Sequence, residues 1–560
     1  MVASFVVPSL EKSLASGVTL VKAAAPLPLD PTAVRDMLLN QAGLPPEVTK
    51  YLDLTSPIAG ASVVGWPGGG PLNAFAFGVR SPGDAVPLLA ALGRTVGRRG
   101  AAVQIENAAG DRGWFWPEGN AVMFADSEDA LARAGSLAQE TRRAAHDDLV
   151  VAIVPEMMAR AAGTELKAIV TRFVGDIEAR AAASGTKLGP EAMRQLRVFG
   201  DYLLETQTAE LALNLDSGRG AALVARLLPR AGSKLEAIAR HTKPAPMDPL
   251  ITASVRDPKN GAGFVLSSAY AGATLDQLRR QRARLPATGG KPVATAGRLL
   301  DALIEGLTGE FWLLGRARPN LSSEMVLQAR DAAAAGRIQT ALAATNKEAI
   351  VALVRAATEG EGVDLKVRKA QAVSFGKSRG VSMTVAVGAT AGKGNAGWGL
   401  RKLLGPNGVE LFAAVIPGDR LAMAMGPGAR ARIAALTSGR PATTPPAKTE
   451  KAGKPEKAAD TANPAGSDGA LLAATLGNVG ARSLFYLLDL KQALAVSSAA
   501  GGDPRLAMLA AAATAAPVPV FGGLAGDGQG RTLTLDLTLP PAAFAGIGGM
   551  VQAATMMPRR

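Results

Sequence analysis

The chain has no cysteine and only two histidines in 560 residues. The first absence excludes disulfides, thiolate zinc sites, iron–sulfur clusters and cysteine nucleophiles. The second leaves little for metal binding or general-base catalysis. His146 sits in a polar stretch beside Arg143, Asp147 and Asp148, and His241 ends a helical pattern, where positive charge is favoured. Neither has H-E-x-x-H or comparable ligand spacing, so no metal and no cofactor are expected. Aromatic residues are scarce at 4%. Long apolar runs are missing too: Leu506–Ala516 falls short of the roughly 20 residues a membrane span needs, and Ala542–Met557 is broken by Gly546, Gly548, Gly549 and Gln552. No transmembrane helix is expected.

What is present is core and turn material in quantity. A hydrophobic fraction of 48%, 64 glycines and 36 prolines describe a folded chain, and its length calls for two or more domains. The formal net charge of +14 favours an anionic partner, such as lipid headgroups, a cell-wall polymer or nucleic acid. The cations occur in short clusters, Arg98-Arg99, Arg142-Arg143 and Arg279-Arg280, with no aromatic residues between them. That spacing gives no convincing nucleic-acid surface. The first eight residues have neither a basic start nor an unbroken apolar core, so they do not read as a signal peptide. Ala23-Ala24-Ala25-Pro26 reads like the start of an exported domain, and residues 1–30 are taken as a low-complexity segment.

The organising feature is a repeat. Gly113–Leu131 and Leu411–Ile433 each run an apolar strand into a Pro-led turn, a second strand and a helix start. Asp126 is expected to cap the first helix, and Gly426-Pro427 to open the second. Around them the order of patterns is shared. The hairpin of Ala61–Trp66 and Leu72–Val79 matches Phe311–Gly315 and Glu324–Ala329, and Leu149–Val154 matches Leu484–Leu488. The turn Asp216–Gly220 matches Asp527–Gly530. The chain therefore reads as α+β, an internal duplication of a module with antiparallel sheet and packed helices. The expected domains are a first repeat at 31–245, a connecting hairpin and helix at 246–296, and a second repeat at 297–560. Residues 438–469, rich in Lys, Pro and Ala, are expected to be a disordered insertion in the second repeat.

Catalytic patterns fail on context. Gly392–Gly397 matches G-x-G-x-x-G, but it begins several residues past its strand and the helix available to it is cut at Gly405-Pro406. Three S-x-x-K strings, at Ser9, Ser184 and Ser374, lack companion motifs. Asp201 and Glu205 share a helix face, as a solvated pair would.

The tryptophans Trp66, Trp114, Trp116, Trp312 and Trp398 fall at strand ends or glycine-rich loops, where they could form an apolar mouth for a lipid-like or polymeric ligand. Arg98, Arg99, Arg142 and Arg143 are the candidate anion contacts. The two-copy layout, the Ala/Arg/Gly/Pro usage and the Lys/Pro-rich insertion resemble, in style, cell-envelope proteins of Gram-negative bacteria of unknown function. The resemblance implies a periplasmic or envelope location. It departs from exported lipoproteins in having no cysteine to carry a lipid anchor. The expected function is non-catalytic: binding an apolar or anionic partner, such as lipid, cell-wall polymer or another envelope protein, or serving as an assembly element. The alternatives are a hydrolase using carboxylates in a cleft between the repeats and, third, a nucleic-acid binder.

Overall fold

The computed structural model describes residues 1–24, 30–41, 46–65, 71–107, 109–143, 149–183, 190–242, 244–248, 251, 264–269, 271–316, 322–358, 365–376, 378–387, 407–438, 482–501, 508–511 and 518–556. The fold is α+β, with a large antiparallel sheet and packed helices. Two compact units share the chain: Met1–His241 with Gly526–Pro541, and Thr242–Ala525 with Ala542–Arg560.

In the first unit the strands lie in the order β4 (Arg94–Arg99), β5 (Ala102–Glu106), β6 (Arg112–Glu118), β7 (Ala121–Ala125), β3 (Pro71–Gly78), β2 (Ile58–Val64), β1 (Ala3–Val7), β8 (Leu149–Ile153), β9 (Thr206–Asp216), β10 (Gly220–Pro229) and β20 (Leu533–Leu539). In the second unit the order is β14 (Leu365–Phe375), β15 (Ser378–Val387), β16 (Val409–Ile416), β17 (Arg420–Met425), β13 (Ser322–Ala329), β12 (Leu307–Arg316), β11 (Phe264–Ser268), β18 (Leu484–Asp489) and β19 (Pro519–Gly526). Adding ten to each label from β4 through β9 turns the first order into the second.

Several sequence expectations need correction. Residues 3–24 are not a low-complexity tail. Val2, Ser4 and Val6 alternate with Ala3, Phe5 and Val7 in burial, the period of a strand, and β1 lies inside the sheet between β2 and β8. The helix α1 (Leu10–Ala24) follows it. Within 246–296, expected as a connector, β11 lies between β12 and β18, just as β1 lies between β2 and β8. The apolar spacing over residues 84–97 suits one helix, but α4 (Ala85–Leu92) ends at Gly93 and β4 begins at Arg94. A Cβ at Gly93 would collide with the Glu106 carbonyl, so this close chain approach needs glycine. Ser127, not Asp126, caps α5 (Glu128–Arg143): its Oγ accepts the Ala130 N–H at 3.1 Å. Beyond Ser438, the expected insertion lies outside the described residues.

Helices cover the sheets unevenly. In the first unit α5 sets Ala130, Leu131, Ala134 and Ala138 against Ala61, Ala74, Ala76 and Met123. On the opposite face α4, with α2 (Pro31–Gln41) and α3 (Pro46–Thr49), closes over Ile58, Phe77, Phe115 and Val122. In the second unit α14 (Ala429–Thr437) covers one face with Ile433 and Leu436. The helices α11 (Gly290–Gly306), α12 (Ala332–Ala343) and α13 (Lys347–Thr358) cover the other with Leu299, Ile338 and Ile350.

Beneath α14 lies a buried ionic cluster. Arg316 Nη1 and Arg432 Nε lie 2.9 and 2.8 Å from Glu324 Oε1, and all three side chains are buried. The Arg432 contact is a close ion pair whose direction is not that of a hydrogen bond. Arg432 also donates to the Pro427 and Met425 carbonyls at 2.6 and 2.8 Å, which ties the start of α14 to the end of β17. Burial pulls the Arg432 guanidinium below its ordinary pKa, and Glu324 opposes the pull. Removing one partner strands a buried charge, whereas replacing the set with apolar residues removes the desolvation cost as well. We therefore expect Glu324→Ala to destabilise the second unit by about 3–5 kcal/mol in chemical denaturation. Combined Arg316→Met, Glu324→Leu and Arg432→Met should recover most of that loss.

Asp489 ends β18 and is buried. Its Oδ1 accepts the N–H groups of Lys491 at 3.1 Å and Val518 at 3.0 Å, at the start of α15 (Leu490–Gly501). Burial outweighs these bonds and raises its pKa above the ordinary carboxylate value. A raised folded-state pKa favours folding at pH below the unfolded value, and that contribution is lost as pH rises through the folded value. Asp489→Asn keeps an acceptor oxygen without the charge. It should be at least as stable as wild type at pH 7 and lose this pH dependence, while Asp489→Ala should lose about 1–2 kcal/mol at the same pH.

Candidate functional site

In β20 apolar and polar residues alternate strictly, Leu533, Leu535, Leu537 and Leu539 against Thr534, Asp536 and Thr538, and in β9 Ala209, Leu211, Leu213 and Leu215 alternate with Thr208, Glu210, Ala212 and Asn214. Residues directly opposite one another in an antiparallel ladder share a face. The registers Val151↔Leu211, Leu211↔Ala225 and Ala225↔Leu535 therefore form one row, and Leu149↔Leu213, Leu213↔Leu223 and Leu223↔Leu537 a second. The first row continues through Phe5↔Val151, Phe5↔Gly60 and Gly60↔Phe75. Phe5 lies over Gly60, where a Cβ would overlap its ring, and Phe5 and Phe75 have ring centroids 6.0 Å apart.

This face should be core, yet much of it is open. Phe75, Val151, Leu211, Leu223, Leu535 and Leu537 are each more than a third exposed, Leu211 most of all at 46%. The reason is the uneven helix cover. The helices α2, α3 and α4 lie over the part of this face around Ile58, Phe77 and Val122. At the Leu215 end α1 comes close, with Gly17 near the Leu215 side chain. Five neighbouring strands, β1, β8, β9, β10 and β20, carry the rest. At strand spacings of about 4.8 Å that floor is roughly 20 Å across. The reverse side is mixed: Val150, Ala212 and Val224 form an apolar row there, and Glu210 and Arg226 lie directly opposite each other and ion-paired.

The turn between β9 and β10 is fixed by Asp216, whose Oδ1 accepts the N–H groups of Gly218 and Arg219 at 2.7 and 2.9 Å. Those bonds hold its carboxyl below the ordinary range. Gly220 has φ +99° and no room for a Cβ against the Leu539 carbonyl, so β10 can meet β20 only with glycine there. The turn before β20 repeats the device: Asp527 Oδ1 accepts the N–H groups of Gln529 and Arg531 at 2.9 and 3.1 Å.

The tryptophans expected to form a shared mouth separate. Trp114 and Trp116 lie on β6, the first half-buried and the second 41% exposed. Trp312 lies mid-strand and not at a strand end. It is 3% exposed on β12, packed among Val326, Phe412 and Phe485, because its strand lies inside the sheet and α14 covers it. Trp66 and Trp398 lie outside the described residues.

The arginines also divide. Arg98 and Arg99 are exposed on β4, an outer strand of its sheet, and Arg99 pairs with Glu128. The neighbouring Glu106 accepts from Arg94 at 2.7 Å and Arg112 at 2.7 Å across three strands, which holds its carboxyl below the ordinary range. Arg142 is structural. Its Nε donates to the Pro57 carbonyl at 2.8 Å, and burial lowers its pKa while Asp53 opposes the change. Arg143 lies 3.6 Å from Glu118.

Of the carboxylates considered for catalysis, Glu205 Oε2 accepts the Leu235 N–H at 2.8 Å, at the start of α9 (Lys234–His241). The glycine-rich stretch Gly392–Gly397 and His146 lie outside the described residues. No helix among the described residues is long and apolar enough to cross a membrane. Among the same residues, no group of three or more His, Cys, Asp or Glu is placed to hold a metal.

What sequence reasoning missed is the open floor. The leucine alternation of β9 and β20 marked it, but alternation alone does not tell a covered face from an open one. Comparison with protein-family models, with curated proteins and with solved structures finds no match to this chain.

Proposed function

We propose that this protein is a non-catalytic binding protein of the cell envelope whose partner is apolar and lipid-like. The observation that carries the reading is the open apolar floor of β1, β8, β9, β10 and β20, where side chains that alternation assigns to a core are more than a third exposed. Contiguous exposed apolar area of this kind favours a lipid, membrane or protein partner. A lipid-like partner fits best because the floor is aliphatic, with Val and Leu side chains and few polar groups to select a hydrogen-bonding ligand. The absence of cysteine suits an oxidising compartment.

We also read the two units as copies of one ancestral module. The matching strand order supports this, and so does a shared detail. Phe5 over Gly60 in β1–β2 has its counterpart in Phe264 over Gly315 in β11–β12, each ring filling the place of a glycine Cβ directly opposite. The counterpart row in the second unit runs Val520, Leu488, Phe264, Gly315. Its three large side chains are half-buried, so the more open floor belongs to the first unit.

The test is titration with a dansyl-labelled fatty acid. Wild type should bind saturably. Leu211→Glu combined with Leu223→Glu should weaken binding at least tenfold while leaving the melting temperature within a few degrees, because both positions are surface-exposed. Unchanged affinity in a folded double variant would overturn the lipid-like reading.

A further inference from the structure

The second unit contains a cavity of about 270 Å³, distinct from the apolar floor of the first. It lies on the α14 side of β12 and β13, where Trp312, Val326 and Phe485 end their rows, and Met247 closes it from a strap formed by residues 244–248. The strap is anchored. Ala245 and Arg482 exchange both backbone hydrogen bonds, at 3.1 and 3.0 Å, and Ser483 Oγ donates to the Thr242 carbonyl. The aromatic and aliphatic walls therefore belong to elements fixed in place before any ligand arrives.

Two arginines, Arg420 and Arg482, line this cavity, and Arg420 has donor capacity to spare. Arg420 Nη1 lies 3.2 Å from Asp248 Oδ2, and its Nε donates to Gln328 Oε1 at 3.2 Å. Nη2 has no partner among the described residues. Gln328 is itself held, its Nε2 donating to the carbonyls of Ala329 at 3.0 Å, Asp419 at 3.2 Å and Gly418 at 3.3 Å. The guanidinium is thus held through Nε and Nη1, and Nη2 remains to receive a carboxylate oxygen. Asp248 and Glu310 also line the cavity. With Arg482 on the wall as well, the lining carries two charges of each sign, so a singly charged ligand unbalances it least. The volume is slightly below the range of drug-sized sites, which limits the ligand to a small molecule.

We infer that this cavity binds a small monocarboxylate with an aromatic or branched apolar body, its carboxylate on Nη2 of Arg420 and its body between Trp312, Phe485 and Met247. An aromatic acid and an amino acid with an aromatic side chain share this chemistry. Only the second offers an ammonium group, for which the Glu310 carboxylate is available.

Isothermal titration of the full chain with 3-phenylpropionate, phenylalanine and the uncharged 3-phenylpropanol tests the inference. We expect saturable binding of at least one of the two acids, with a dissociation constant on the order of 100 µM, and at least tenfold weaker binding of the alcohol. Arg420→Met should abolish the acid signal. Arg420→Lys, which keeps the charge but loses the fork, should weaken it severalfold. Circular dichroism melts establish that each variant is folded, and the lysine variant serves if the methionine variant is not. If phenylalanine binds more tightly than 3-phenylpropionate and Glu310→Gln erases the difference, the ligand is an amino acid; if not, it is a simple carboxylate. No saturable binding of either acid up to about 5 mM, or equal binding by folded Arg420 variants, would overturn the inference. The Leu211→Glu, Leu223→Glu protein should bind these probes like wild type, which separates this cavity from the floor of the first unit.

Discussion

An antiparallel sheet hides an apolar face only where something lies over it, and in this protein the covering helices run out before the strands do. The rest of the structure depends on that shortfall. The helices α4 and α5 enclose the β7–β3 side of the first unit from both faces, so Ala74, Ala76, Val122 and Met123 are buried. Across β8, β9, β10 and β20 the same face keeps its alternating Val and Leu side chains but loses its cover. At roughly 25 cal/mol per Å² of apolar surface, leaving such side chains in water forgoes stabilisation that a partner would restore.

The two units solve one packing problem differently. Between helix and sheet, the first uses small residues, with Ala130, Ala134 and Ala138 approaching Ala61, Ala74 and Ala76. At the matching register the second sets Glu324 between Arg316 and Arg432. Small residues allow close approach through dispersion alone. The ionic cluster fixes α14 through directed contacts to Met425 and Pro427, but it accepts the cost of three desolvated charges.

Much of the architecture was legible in the sequence, and the failures have physical causes. Leu149–Val154 and Leu484–Leu488 read correctly as β8 and β18 because continuous apolar runs bounded by turn signals leave few alternatives. Arg94–Gly97 fits the end of a helical pattern because the strand character of β4 comes from its hairpin partner β5 and not from its own residues. β1 was overlooked for a related reason: five residues carry little local signal, and only β2 and β8 make them a strand. Trp312 was placed at the end of the strand Phe311–Gly315, whereas β12 starts at Leu307 and holds it mid-strand inside the sheet. In the sequence Arg420 merely closes the turn that Pro417 opens in the second copy of the repeat. Its spare guanidinium nitrogen arises from Asp248 and Gln328, 172 and 92 positions away, which no local pattern reports.

The claim that the open floor holds an apolar partner is tested most directly by where such a partner sits. A fatty acid carrying a diazirine at mid-chain can be photolysed with the full-length protein and the adducts mapped by peptide mass spectrometry. The account predicts adducts concentrated on β8, β9, β10 and β20, at Val151, Leu211, Leu223 and Leu535 or their immediate neighbours. Adducts spread evenly over the surface, or concentrated on β6 around Trp116 with those four strands unlabelled, would contradict it.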